Sequence, residues 1–246
     1  MIRGSETGCC RRSDDNILSP TNAMKKKFAA EFIGTFFLIF VSGSAAIMYA
    51  VGIKFDYLTT VLAFSAVLGV CYTLFHKVSG AHFNPAISFG YFMTARISLA
   101  EFIIYSISQF LGGVLACVML RVIFAAKFTN FLPKVYSEIL KYDDLSAVAV
   151  IAIFEFIFAF LMMCTYLSLD RTSNRKNSGL VMAMSYFVMC SILYAVDGCG
   201  LNVIRIFVPA LFSQVWTDTI VYIIAVFGGC LCGSICYSLL TENAAG

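Results

Sequence analysis

Charge is what this sequence has least of. Of its 246 residues only 13 % are Asp, Glu, Lys or Arg, while 60 % are hydrophobic. A soluble domain carries roughly 25 % charged and 45–50 % apolar residues, because its surface must be covered with polar groups. An ordinary soluble enzyme is therefore excluded, and 24 Phe exclude a disordered segment. Histidine is reduced to two residues, and there is no Cys-x-x-Cys pair, so neither a metal nor another cofactor is expected. Nor is there a basic patch interleaved with aromatics, so the net charge of +3 does not point to nucleic acid. The ten cysteines form no disulfide framework: Cys71, Cys117, Cys164, Cys190, Cys230, Cys232 and Cys236 lie in apolar runs, where a thiol serves as a small hydrophobe.

What is present is long apolar runs. Six are long enough to cross a bilayer: Phe28–Ala50, Leu58–Phe75, Leu99–Phe124, Ser146–Leu169, Gly179–Val196 and Ile220–Leu240. Only Glu31, Glu101, Arg121 and Glu155 interrupt them with charge. The first run is too long for a signal peptide and lacks a cleavage pattern, so it reads as a retained span. With the N-terminus inside, the inner segments hold eleven Lys and Arg and the outer segments five. That bias predicts a multi-pass protein with both termini cytoplasmic. Residues 1–24 read as an N-terminal tail, in which Cys9 and Cys10 are candidates for lipidation, and 242–246 as a short C-terminal tail.

Two connections are not ordinary loops. One runs Ser79-Gly80-Ala81-His82-Phe83-Asn84-Pro85-Ala86 and stays apolar through Phe92; the other runs Asp197-Gly198-Cys199-Gly200-Leu201-Asn202-Val203-Ile204-Arg205 and stays apolar through Phe212. Each is a Gly-rich turn, an Asn, then a stretch too short to span but long enough for a half-helix entering the membrane. The halves also repeat. Glu31-Phe32-Ile33 matches Glu155-Phe156-Ile157, Gly80-x-x-x-Asn84 matches Gly198-x-x-x-Asn202, and Phe110-Leu111-Gly112-Gly113 matches Val226-Phe227-Gly228-Gly229. Three spans per copy is odd, so the second copy must be inverted. The expected fold is thus an all-α membrane protein of six transmembrane helices plus two re-entrant half-helices in an inverted 3+3 repeat. Its first copy covers about 25–125 and its second about 146–241, within a channel domain of 25–241. Inverted repeats with broken helices meeting near the midplane are a transport architecture.

At these residues the chain resembles the aquaporin family, also called major intrinsic proteins. SGAHFNPA at 79–86 is similar to the family's first signature, AEFIGTF at 30–36 to its first span, and DGCGLNVIR at 197–205 with FVPA at 207–210 to its second signature. The resemblance implies a passive transmembrane channel for water and small uncharged solutes, with water and neutral solutes as permeants. It also implies membrane lipids as surroundings, a homotetramer with one pore per subunit, and a plasma-membrane location. It implies that Asn84, Pro85 and Ala86 meet Asn202, Val203 and Ile204 at the pore centre. The family expects Asn-Pro-Ala twice, and here the second copy has lost its Pro and Ala.

Family register also implies an outer selectivity filter of Phe64, Cys190, Cys199 and Arg205. Cys190 stands where water-selective relatives carry His, which predicts a wider constriction with one donor fewer. Against a glycerol preference, Ile206 stands where glycerol facilitators typically carry an acidic residue. Glu31, Glu155 and His82 are implied as structural supports of the re-entrant loops, and no residue is expected to be catalytic. Two alternatives stay open: a glycerol- or urea-preferring channel, and a poorly conducting relative with an adhesion, scaffolding or ion-conducting role.

Overall fold

The computed structural model describes residues 20–125, 127–128, 144–172, 175–214, 216 and 219–242. Cys9, Cys10, the C-terminal tail beyond 242 and most of the loop 125–145 lie outside the described residues. Eight α-helices follow one another: α1 Pro20–Ala50, α2 Tyr57–Ser79, α3 Pro85–Met93, α4 Leu99–Phe124, α5 Asp144–Arg171, α6 Ser178–Val196, α7 Val203–Ser213 and α8 Thr219–Glu242. Six of them are long and apolar enough to cross a membrane, and α3 and α7 are short.

The helices form because their runs lack internal breakers and carry caps where they start. Asp56 caps α2 by accepting from Thr59 N at 2.7 Å, and those Thr59 bonds hold its carboxyl below the usual range. Ser98 and Glu101 form a reciprocal capping box on α4. The charge of Glu101 therefore sits at a helix end, paired with Lys27 on α1 at 2.5 Å. Arg121 lies in the last turn of α4, its guanidinium over Phe128. Of the four charges counted in the spans, only Glu31 and Glu155 are fully buried.

The surface is the reverse of a soluble protein's. Large aliphatics such as Leu74, Val122 and Ile220 face outward, while Thr35, Ser65, Ser108 and Gln109 are buried. That distribution suits helices solvated by lipid and held together by small residues and interhelical hydrogen bonds.

The packing repeats between the halves. α1 lies along α2 and α4, and α5 lies along α6 and α8; α3 and α7 each sit between α4 and α8 and touch each other. α2 and α6 cross where Gly69 and Gly179 face each other's carbonyls. A Cβ on Gly112 would strike the Phe32 carbonyl of α1, and a Cβ on Gly229 the Phe156 carbonyl of α5. Because Phe32 and Phe156 follow Glu31 and Glu155, the equivalent of Gly112 is Gly229. The Gly-Gly match expected from sequence is therefore displaced by one residue, since the helix places a glycine where two backbones touch, not where the letters align.

Candidate functional site

The two re-entrant loops share one backbone. Left-handed φ occurs at Gly80 (91°), Ala81 (56°) and Phe83 (50°), and again at Gly198 (84°), Cys199 (62°) and Leu201 (44°). Non-glycine residues in this region cost about 1–2 kcal/mol each, so something must hold them. Glu31 does so in the first copy: its Oε1 accepts from His82 N at 3.0 Å and its Oε2 from Phe83 N at 2.7 Å. Glu155 does the same for Gly200 N and Leu201 N, both at 2.7 Å. Gly200 has no Cβ because one would lie 2.6 Å from Glu155 Oε1. His82 is enclosed by Tyr91, Tyr105 and Tyr166, with Nδ1 3.1 Å from Ser88 Oγ.

Both loops end in an Asn that caps a half-helix. Asn84 Oδ1 accepts from Ala86 N at 3.1 Å, and Asn202 Oδ1 from Ile204 N at 2.9 Å. The carboxamides also cross between the copies: Asn84 Nδ2 donates to Leu201 O and Asn202 Nδ2 to Phe83 O, each at 2.8 Å. The half-helices α3 and α7 therefore meet at their N-termini, joined by two reciprocal bonds. The loss of Pro at 203 adds a third. Val203 N donates to Asn84 Oδ1 at 3.2 Å, a bond a proline at this position cannot make. The lost Ala is accommodated on the other side. Ile204 turns its Cγ2 into the space left by Gly113 of α4, where a Cβ would overlap it.

That contact gives a double-mutant test. Gly113→Ala alone should destabilise the protein by about 1–3 kcal/mol through overpacking. Ile204→Ala in the same chain, which restores the residue of the first copy, should relieve most of that loss; a coupling of about 1 kcal/mol or more is expected in thermal unfolding. Additive losses would show that the two residues do not share this space.

The four residues expected to form the filter come together in the structure. Arg205 is anchored through Nε to Cys199 O at 2.8 Å and through Nη2 to Gly198 O at 2.9 Å. Its guanidinium carbon lies 4.3 Å from the centroid of the Phe64 ring. Cys190 and Cys199 are buried neighbours. None of the four exposes more than 2 % of its surface. This differs from the wide constriction predicted from the small Cys190. The ring and the guanidinium close on each other, and the space between them is lost to a cation–π contact. Tyr194 braces the ring edge-on at 5.4 Å, with Tyr49 and Tyr57 around it. Sequence reading missed this tyrosine belt, and no motif marks it.

Residues 19–237 match the model of the family described as Major intrinsic protein. This chain belongs to that family. Among relatives of this major intrinsic protein, the Glycerol uptake facilitator protein-like 6 of Lactiplantibacillus plantarum is 29 % identical, covering 86 % of this chain and 96 % of the relative. Aquaporin NIP1-2 of Arabidopsis thaliana is 30 % identical, covering 93 % and 79 %. The X-ray structure of the aquaglyceroporin from Plasmodium falciparum superposes with a TM-score of 0.74 at 17 % identity, covering 89 % of this chain and 96 % of that one. The major intrinsic protein fold, with six spans and two half-helices, is thus the fold of this multi-pass membrane protein.

Proposed function

We propose that this major intrinsic protein is a passive channel for water and small neutral solutes, each subunit conducting through its own Asn84–Asn202 junction. The observation that carries the reading is the pair of crossed carboxamides. A carboxamide has two N–H groups; one of each pair bonds to the opposite loop, and the other is available to a permeant oxygen. The N-termini of α3 and α7 converge there, so their positive dipole ends repel cations and oppose proton passage. A neutral oxygen accepts these donors; an alkali cation finds no acceptor to replace its water. Nothing in this passage breaks a bond, so no catalytic residue is required. Relatives named as glycerol facilitators and as aquaporins support the breadth of the permeant class. The Lys and Arg bias supports cytoplasmic termini, and the plasma membrane and a homotetramer follow from the family resemblance.

Cys190 sets the balance between permeants in this reading. Its thiol is smaller and a weaker donor than an imidazole, so once the ring and guanidinium part, a polyol has room. Proteoliposomes of the wild type should respond faster than empty vesicles to both water and glycerol gradients in stopped-flow light scattering. Cys190→His should lower the glycerol-to-water permeability ratio by about tenfold or more, the scale on which a snug site rejects extra bulk. An unchanged or raised ratio would remove Cys190 from the filter. Rates equal to empty vesicles for both gradients would overturn the channel. They would favour the second reading, a poorly conducting relative, to which the Arg205–Phe64 closure points.

A further inference from the structure

Glu31 and Glu155 hold their loops in the same way but with different donors. Glu31 receives four hydrogen bonds: from His82 N and Phe83 N, from Ser79 Oγ at 2.6 Å and from Gln109 Nε2 at 2.8 Å. Ser79 Oγ in turn accepts from Ala81 N at 3.1 Å. In the second copy two of these donors are missing. By the glycine register the equivalent of Gln109 is Val226, which has nothing to donate, and the equivalent of Ser79 is Asp197.

Asp197 occupies the serine's position in every other respect. Its Oδ1 accepts from Cys199 N at 2.8 Å, as Ser79 Oγ does from Ala81 N. Its Oδ2 is buried and has no N–H or O–H donor among the described residues. The two carboxyls hold consecutive N–H groups of one loop, Asp197 that of Cys199 and Glu155 those of Gly200 and Leu201, and so are charged neighbours. Two fully buried carboxylates facing each other with no hydrogen between them would be strongly repulsive, and each would keep an unsatisfied oxygen. One proton resolves both defects.

We propose that Asp197 and Glu155 jointly bind a single proton, donated from Asp197 Oδ2 to the Glu155 carboxylate, and that this proton replaces the Ser79 hydroxyl as the tie holding the loop that carries Cys199 and Arg205. Asp197 is a positioning residue here, acting on the filter through the backbone of residues 198–202. The remaining titratable and charged groups around the pair are Arg205 on α7, the Cys199 thiol in the loop, Cys190 and Tyr186 on α6, and Cys230 on α8. Arg205 bonds the carbonyls of Gly198 and Cys199, so the loop's N–H groups face the carboxyl pair while its carbonyls hold the guanidinium. Loss of the proton would set two anions against each other beneath the filter.

The proton itself does not depend on the channel reading, and its test uses no transport measurement. In infrared difference spectra of reconstituted protein at neutral pH, wild type minus Asp197→Asn should show the C=O stretch of a protonated carboxylic acid, shifted in heavy water. Wild type minus Asp197→Ser should show the same band. Asp197→Asn and Asp197→Ser both supply a fixed donor, so their unfolding midpoints should stay near that of the wild type. Asp197→Leu, with similar shape and neither donor nor acceptor, should lower the midpoint by roughly 5–10 °C, as expected for losing the bond to the charged Glu155 together with that from Cys199 N in a domain of this size. Absence of the acid band from both difference spectra would overturn the proposal. So would an Asp197→Leu midpoint equal to that of the wild type.

Discussion

Replacing Phe64 with alanine should raise water permeability per channel by about tenfold or more and admit glycerol more readily. The ring centroid lies 4.3 Å from the Arg205 guanidinium carbon, and both side chains are withdrawn from solvent. A desolvated cation–π contact is worth about 2 kcal/mol, which corresponds to roughly thirtyfold in the balance between closed and open filters. In the proposed pore that contact must part before an oxygen passes, so its removal shifts the balance toward the open arrangement. The guanidinium stays in place, because its anchors are the carbonyls of Cys199 and Gly198 rather than the ring. Phe64→Ala also removes the partner of Tyr194, and some stability with it, so permeability is to be normalised to reconstituted protein. Phe64→Leu, which keeps more of the packing, should give a smaller increase in the same direction. Unchanged permeability in both variants would mean that the ring is scaffolding and that the filter lies elsewhere.

Much of the fold was legible because lipid makes few demands on a sequence. A spanning helix needs a long apolar run, and all six runs became helices, with Leu99–Phe124 reproduced end to end. The helix α1 begins earlier than its apolar run, at Pro20, because the lysines at 25–27 are compatible with a helix that extends beyond the hydrocarbon. Both half-helices were visible as Asn caps before runs too short to cross.

What could not be read is where neighbouring backbones sit. The Gly-Gly match was one residue out because the letters of α8 do not record which glycine touches Phe156. Nothing in the letters shows that Ile204, standing where the first copy has Ala86, turns into the gap at Gly113. Nor do they show that the N–H of Val203, in the place of the lost proline, reaches Asn84. Cys190 looked like an opening, and the structure closes it, because side-chain size does not reveal how far Phe64 and Arg205 can approach. Asp197 did leave a signal: it precedes Gly198 as Ser79 precedes Gly80. Only the bonds made by Ser79 give that correspondence a meaning.

The account rests on donors presented at the meeting point of α3 and α7, and Asn84→Asp addresses them directly. Aspartate keeps the Oδ1 that accepts from Ala86 N and Val203 N, and a negative charge is favourable at a helix N-terminus, so the half-helix and its cap should persist. What disappears is Nδ2, and with it the bond to Leu201 O and the N–H offered to a permeant. Leaving a buried carbonyl unsatisfied costs about 1–3 kcal/mol, and the new charge replaces a donor with an acceptor at the junction. Osmotic water permeability of proteoliposomes carrying equal amounts of folded wild type and Asn84→Asp is the measurement. A fall of at least about tenfold in the variant is the expected result; equal permeabilities, both above empty vesicles, would contradict a conduit through the Asn84–Asn202 junction.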